Sequence, residues 1–225
     1  MKSQFSLIID FDSTIVEVET LELLAEIVLS KSPNKNQIIN KISNYTELAM
    51  SGQIPFEKSL EYRFNLMDIN KGHIEILIKE INKNFDLSFF DNLDFFKKYS
   101  SDIYIVSGGF QSIIESAMLS STNFEWNVFA NELIFNEEDK LIGVNLDNPL
   151  AHSLGKVNLI KSLNLKTDII IVGDGYTDYE IKKHNLAKYF LAYTKHVERD
   201  NVVSNADKIC TNFSQVVKFI EQNYY

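Results

Sequence analysis

The fold of this chain is best predicted from the stretch Phe5-Ser6-Leu7-Ile8-Ile9-Asp10-Phe11-Asp12-Ser13-Thr14. Residues 5–9 form a short apolar run, which predicts a buried strand. Asp10 and Asp12 are two residues apart, so on an extended chain both carboxylates point to the same side. Two like charges held this close are relieved by a bound cation or by protonation of one partner. The stretch indicates either a metal-binding acid/base pair or a polar turn, because Asp, Ser and Thr are also common turn residues.

Composition limits the classes to which the protein can belong. The chain has 225 residues, 45% of them hydrophobic, which fits one domain or a core with one substantial insertion. A net charge of -9 disfavours nonspecific nucleic-acid binding and anionic membrane surfaces, so local cations would have to attract an anionic substrate. Cys210 is the single cysteine, which excludes an internal disulfide and a thiolate metal cluster.

The N-terminal sequence and the apolar runs bear on location. Asp10 and Asp12 interrupt the first apolar run before it could form the core of a secretory signal. No apolar run approaches the roughly 18 residues of a transmembrane span. We therefore expect a cytoplasmic protein with no membrane partner.

A helical block follows the first strand. Helical spacing of apolar residues predicts four helices, at residues 20–29, 37–50, 56–67 and 74–85. Connections between the strands of α/β units are normally much shorter. The block is therefore predicted to be a small helical cap, inserted after the first strand and packed above the sheet.

Strands and helices alternate after the helical block. Strands are predicted at 103–106, 126–129, 132–135, 141–144, 169–172, 189–192 and 208–210, with helices between most of them. This order predicts an α/β fold: a Rossmann-like, mostly parallel sheet with helices on both faces. We expect residues 1–14 and 88–225 to form the core, with a β-hairpin insertion at about 124–148, and residues 15–87 to form the cap.

Three predicted strands end in a polar residue: Asp10, Ser107 and Asp174. Ligands of open α/β sheets bind outside the carboxyl ends of the strands, so these residues are expected to share one site. Ser107-Gly108-Gly109 is either a flexible turn or a set of free backbone N–H groups suited to phosphate. Lys156 is either solvated or near an anion, because the first turn of a helix disfavours a cation.

Asp174 and Asp178 allow two interpretations. They could form a loop and a helix N-cap. Alternatively, together with Asp10, they could supply the hard oxygen ligands that magnesium prefers.

The motifs together resemble a known group of proteins. Asp10 to Thr14, Ser107 to Phe110, Lys156 and Gly173 to Asp178 are similar to the four ordered motifs of the haloacid dehalogenase superfamily. Glu19, the segment 56–63 and Val128 to Asn131 further resemble the phosphoserine phosphatases, and the similarity covers roughly residues 5–212. Thr177 stands where many members of the superfamily have Asn.

The resemblance implies a mechanism and a cofactor. It makes Asp10 the nucleophile and Asp12 the general acid and base. It implies Mg²⁺ as the cofactor, held by Asp10, the backbone carbonyl of Asp12 and Asp174, with Asp178 orienting the metal's surroundings or Lys156. The phosphoryl oxygens would be bound by Ser107, Gly108 and Lys156.

The substrate prediction depends on Arg63. It lies on the apolar stripe of its predicted helix, so its head either reaches water along a packed stem or meets a buried partner. The resemblance implies that Arg63 binds a substrate carboxylate and Glu19 a substrate ammonium, with Met50, Phe56 and Thr177 shaping the pocket. Those groups together describe phosphoserine, and the implied activity is its hydrolysis in serine synthesis.

Two alternatives remain open from the sequence. One is a phosphatase or phosphotransferase for another small phosphorylated metabolite. The other is a non-catalytic, phospho-accepting module similar to receiver domains, which also use clustered Asp, a Ser or Thr, and a Lys on a parallel sheet. In each enzymatic case the partner is a small molecule, and the sequence leaves the oligomeric state open.

Overall fold

A computed structural model describes residues 4–225. The strands are β1 (Phe5–Ile9), β2 (Ile103–Phe110), β3 (Asn127–Asn131), β4 (Leu133–Phe135), β5 (Leu141–Val144), β6 (Asp168–Gly173), β7 (Tyr189–Tyr193) and β8 (Lys208–Cys210). Six of them form one sheet in the order β3-β2-β1-β6-β7-β8, and every pair in it is parallel. The predicted fold class, an α/β protein with a parallel sheet, is confirmed.

The first strand is central because its side chains are apolar on both faces. All five residues of β1 are buried, and the strand pairs with β2 on one side and β6 on the other. Leu7 and Ile9 pack into the larger apolar cluster, whereas Ile8 packs into a second cluster. Alternation along an extended chain places these clusters on opposite faces of the sheet.

We group the α-helices of residues 4–225 by the predicted division into a cap and a core. The cap group is α1 (Thr20–Val28), α2 (Lys35–Met50), α3 (Phe56–Phe64) and α4 (Lys71–Ile81). The core group is α5 (Leu87–Asp91), α6 (Leu93–Lys98), α7 (Gln111–Thr122), α8 (Gly155–Leu163), α9 (Tyr176–Lys183), α10 (Asp200–Val203) and α11 (Phe213–Tyr224). Across residues 4–225, none of these helices has both the length and the apolar composition needed to cross a membrane.

The cap is joined to the core by two adjacent chain crossings. Val16 and Phe85 form an isolated antiparallel bridge. On either side of it, the Glu17 N–H donates to the Asn84 carbonyl at 2.8 Å, and the Asp86 N–H donates to the Ile15 carbonyl at 2.9 Å. Because β1 ends immediately before the first crossing, the four helices lie over the carboxyl ends of the strands. The division of the chain into two domains stays a prediction.

Several local predictions differ from the structure, including the fourth helix, which spans Lys71–Ile81 instead of the predicted 74–85. The second strand continues through Ser107-Gly108-Gly109 to Phe110, because its pairing with β3 resumes at Phe110 after a register shift. Helix α3 ends at Phe64, before the predicted end at residue 67. Helix α5 was not predicted, since five residues are too few to show a helical period, although Asp86 caps it through the Ser88 N–H.

The β-hairpin contains fewer strands and fewer residues than the predicted insertion at about 124–148. Strands β4 and β5 form the antiparallel pair, whereas β3, which precedes them, belongs to the main sheet. The hairpin touches the cap, because the Leu141 N–H donates to the Ile69 carbonyl at 2.9 Å.

Candidate active site

Neighbouring strands bring the predicted residues together at one edge of the sheet. Asp10 follows β1, Ser107 lies in β2, and Asp174 follows β6, and these are three adjacent strands. The Asp10 N–H continues the ladder by donating to the Val172 carbonyl at 2.9 Å. All three residues are at most 5% exposed.

The turn after β1 holds the two carboxylates of the opening stretch in different environments. The turn closes when the Val16 N–H donates to the Phe11 carbonyl at 3.1 Å, with Ser13 in the left-handed region at φ 52°. Asp10 Oδ1 accepts from the Phe11 N–H at 2.7 Å. Asp12 instead accepts from the hydroxyl of Thr20 and from its N–H at 3.1 Å.

Thr20 is the first residue of α1, so Asp12 faces a helix N-terminus, which favours a negative charge. Burial outweighs this effect and, together with the charge on Asp10, raises the pKa of Asp12 to about 7. The Asp12 carboxyl therefore exchanges a proton near neutral pH. Sequence reasoning did not identify Thr20 as its partner.

Lys156 bridges two aspartates beneath the site. Its Nζ lies 2.9 Å from Asp10 Oδ1 and 2.7 Å from Asp178 Oδ1, and the lysine is 5% exposed. This geometry excludes the solvated lysine that the sequence left open. Burial alone would lower the pKa of Lys156, but Asp10 and Asp178 raise it above its ordinary value.

Asp178 lies in the first turn of α9 and also contacts Lys156. Its Oδ2 accepts from the Gly175 N–H at 3.3 Å at the start of α9, while Oδ1 holds Lys156. Gly173 makes room for it, because a Cβ there would lie 2.3 Å from the Asp178 carboxylate.

A cluster of acidic oxygens lies where a cation would fit. One oxygen each from Asp10, Asp174 and Asp178 lie within 4.8 Å of one another. Burial, assisted by Glu19 and Asp10, raises the pKa of Asp174 to about 7 even though Arg199 opposes the shift. These three aspartates could hold a metal ion.

The charges around the site are unequal. Three cations are buried there, namely Lys156, Arg63 and Arg199. Five carboxylates accompany them: Asp10, Asp12, Glu19, Asp174 and Asp178. At full ionisation the carboxylates exceed the cations by two charges, the charge of one divalent ion.

Arg199 is a site residue that sequence reasoning missed. It pairs with Asp174, donates from Nε to Glu47 at 3.0 Å and lies 4.0 Å from Glu19. It is on an irregular loop, where periodicity gives no signal. The composition does carry a signal for Arg199, because Arg63 and Arg199 are the only arginines among 22 basic residues. Both arginines are buried at this site.

The backbone of residues 107–109 orients the Ser107 hydroxyl so that it can donate a hydrogen bond. Ser107 Oγ accepts from the Gly109 N–H at 2.9 Å, which leaves the hydroxyl proton available to another acceptor. Asn131 Nδ2 donates to the Gly108 carbonyl at 2.9 Å and fixes the peptide between the two glycines. The ring of Phe56 covers Gly108 so closely that a Cβ at Gly108 would lie 2.7 Å from it.

Arg63 and Glu19 face the same space from the cap side. Arg63 is 3% exposed and donates from Nε to the Ser59 carbonyl and from Nη1 to Thr46 Oγ1, both at 3.2 Å. The alternative in which its head reaches water is therefore wrong. Glu19 accepts from Ser13 Oγ at 2.8 Å, and burial, reinforced by Asp12, raises its pKa to about 7.

Ten of the twelve predicted site residues line one cavity of about 20 Å³, which has room for roughly one water molecule. They are Asp10, Asp12, Glu19, Met50, Phe56, Arg63, Ser107, Gly108, Lys156 and Thr177. The other two, Asp174 and Asp178, pack against Arg199 and Lys156. A cavity of about 300 Å³ adjoins it and shares Phe56, Gly108, Lys156 and Thr177.

The cap contacts the core beside the small cavity. Several contacts cross the seam between them. Asn201 Nδ2 donates to the Ser51 carbonyl at 2.6 Å, Ser153 Oγ donates to Glu57 at 2.5 Å, and Arg199 pairs with Glu47. These contacts hold residues of the cap against the core.

Known proteins share this fold and can be aligned with this sequence over most of its length. A phosphoserine phosphohydrolase-like protein from Francisella tularensis is 30% identical, with a TM-score of 0.85 over 98% of this chain and 100% of that one. The phosphoserine phosphatase of Homo sapiens is 29% identical over 95% of this chain and 92% of its own length. That of Methanocaldococcus jannaschii is 29% identical over 85% and 87%. No protein-family model matches the chain.

The parallel sheet, the inserted helical cap and the Asp10 turn beneath it define a member of the haloacid dehalogenase superfamily. Within that superfamily, the chain belongs to the phosphoserine phosphatase family.

Proposed function

We propose that this protein hydrolyses O-phospho-L-serine to L-serine and phosphate with Mg²⁺ as its cofactor. The observation that carries the proposal is a shared cavity, where the Asp10–Asp12 pair meets Arg63 and Glu19 of the cap side. One set of residues can act on a phosphate ester, and the other can bind the ammonium and carboxylate of an amino acid. The relatives named phosphoserine phosphatase support the same reaction.

Asp10 is the nucleophile. Its Oδ1 is held by the Phe11 N–H and by Lys156, and within residues 4–225 no donor engages Oδ2. Oδ2 attacks phosphorus, the bond to the serine oxygen breaks, and an aspartyl-phosphate forms. A carboxylate with one oxygen held and one free is suited to attack in a single direction.

Asp12 moves the protons of both half-reactions. Its pKa of about 7 lets it carry a proton to the leaving serine oxygen. The resulting carboxylate then takes a proton from a water molecule, whose oxygen attacks the aspartyl-phosphate. Phosphate leaves, and Asp10 is restored with Asp12 protonated again. Thr20 keeps Asp12 oriented during both steps.

Three groups bind the phosphoryl oxygens. The Ser107 hydroxyl proton is free to donate because its oxygen already accepts from Gly109. The Gly108 N–H and the ammonium of Lys156 complete the set, and such donors stabilise charge that develops in the transition state. Phe56 lies over Gly108 and helps to exclude water.

The residues present fit a magnesium ion. Asp10 and Asp174, with the Asp12 carbonyl, offer the hard oxygen ligands that Mg²⁺ prefers. Asp178 would support this group through Lys156. When bound, the ion offsets the negative charge of the phosphate and of its attacking carboxylate.

Arg63 and Glu19 select the substrate. The guanidinium of Arg63 is buried, already oriented by Ser59 and Thr46, and suited to bidentate binding of a carboxylate. Glu19 binds the ammonium, while Met50 and Thr177 close the sides of the cavity. The partner is thus a small phosphomonoester, and a cytoplasmic location belongs to the same proposal.

Phosphate release tests the proposal. The purified protein is incubated with Mg²⁺ and either L-phosphoserine or an aryl phosphate that lacks both the ammonium and the carboxylate. We expect a much larger kcat/KM for L-phosphoserine, and no release from either ester by the Asp10→Asn variant. Turnover of the aryl phosphate alone would refute the substrate and favour a phosphatase or phosphotransferase for another metabolite.

A further inference from the structure

Asp86 is a buried carboxylate that the proposed mechanism does not use. It lies at the second crossing between cap and core, where its N–H donates to the Ile15 carbonyl at 2.9 Å. It is 0% exposed. A buried carboxylate requires strong donors, so the identity of those donors indicates what the residue holds.

Five groups surround the Asp86 carboxylate. The Ser88 N–H and hydroxyl each donate to Oδ1 at 2.8 Å, and Lys195 Nζ lies 2.8 Å from the same oxygen. His196 Nε2 lies 3.0 Å from Oδ2, and the Tyr193 hydroxyl donates to it as well. Burial alone would raise the pKa of Asp86, but these partners hold it well below its usual range.

Three of these partners lie on one short stretch of chain. Tyr193 ends β7, and Lys195 and His196 follow it. The same stretch reaches Arg199, which pairs with the Asp174 side chain and donates to the Asp174 carbonyl at 3.3 Å. Residues 195–199 are thus held by Asp86 at one end and meet the candidate metal ligand at the other.

We infer that Asp86 is a positioning residue, which fixes residues 195–199 and thereby places Arg199 beside Asp174. The inference rests on the proposed function for its effect on the reaction. A competing explanation is purely structural, since Asp86 also caps α5 through Ser88. The structural role affects the stability of the whole fold, whereas the positioning role acts through one named arginine.

A double-mutant cycle separates the two roles. Asp86→Asn is expected to lower kcat/KM about tenfold, the effect of loosening one charged contact, and Arg199→Met about 100-fold. If Asp86 acts through Arg199, the double variant falls only about 100-fold, because coupled residues are not additive. A fall of about 1,000-fold, the product of the two single effects, would overturn the inference.

Hydrogen exchange gives a readout that needs no activity. Asp86→Asn should speed amide exchange in residues 195–203 of the unliganded protein and leave β1 and β6 protected. Asp168→Asn is the matched control, because Asp168 also meets a lysine, Lys188 at 2.6 Å, and a tyrosine, Tyr224 at 3.1 Å, at the opposite end of the sheet. Unchanged exchange in residues 195–203, or the same change in the control, contradicts the inference.

Two arrangements keep the test decisive. If Asp86→Asn does not fold, Lys195→Met removes the same contact from the lysine side. Lys195 is 34% exposed, so water can take the place of its ammonium beside Asp86. If the wild type fails to hydrolyse L-phosphoserine, the proposed function fails by itself. The cycle is then run with the aryl phosphate, and the exchange measurement is unaffected.

Discussion

Magnesium should raise the thermal stability of this protein, because it neutralises negative charge at the site. At full ionisation the five site carboxylates exceed Lys156, Arg63 and Arg199 by two charges. A divalent cation bound only by the folded state removes this repulsion. At a concentration about 100 times its Kd, it adds about 2.7 kcal/mol to the free energy of unfolding. For a chain of this length, that corresponds to a rise in Tm of about 5–10 °C.

Differential scanning fluorimetry measures the effect, with NaCl at matched ionic strength to separate binding from screening. Asp174→Asn should lose most of the Mg²⁺-dependent rise, because it removes a carboxylate of the cluster. Asp168→Asn, at the opposite end of the sheet, should keep it. No rise in the wild type, or an equal rise in Asp174→Asn, would refute the assignment of a metal to this cluster.

Three further predictions concern single residues. Arg63→Lys should lower kcat/KM for L-phosphoserine about 100-fold, because two charged hydrogen bonds of about 1.5 kcal/mol each are lost. The kcat/KM for an aryl phosphate should change much less, and equal losses for both substrates would contradict the role of Arg63 in specificity. Lys156→Met should lower the free energy of unfolding by about 3–5 kcal/mol, because it leaves Asp10 and Asp178 buried without their cation, and denaturant titration that shows no loss would refute the bridge. Folding lowers the pKa of Asp86, so its carboxylate stabilises the fold at pH values above its ordinary pKa of 3.8, and this stability is lost as the pH falls through the lowered pKa. Asp86→Asn should therefore flatten the acid side of a Tm-against-pH curve, and an unchanged slope would contradict this role.

The apolar strands made the fold predictable from the sequence. Continuous runs such as residues 5–9 and 169–172 can only be buried on both faces, which requires a parallel sheet with helices on each side. Polar residues at the ends of such strands meet at one edge. This reasoning predicts that Asp10, Ser107 and Asp174 lie near one another.

The parts that escaped prediction depend on contacts between distant residues. Arg199 and Asp86 lie on irregular chain, and each acquires its role from partners more than 20 residues away. The end of β2 was misplaced because pairing resumes at Phe110 only where β3 supplies Asn131 as its neighbour. Local propensity holds no information about either kind of contact.

Trapping the covalent intermediate tests the central claim most directly. The protein is mixed with L-phosphoserine and Mg²⁺, quenched in acid within a turnover, and digested for mass spectrometry. We expect the mass of one phosphoryl group on the peptide that contains Asp10, and none in Asp10→Asn. Release of phosphate with no label on Asp10, or with the label on another residue, would contradict the account.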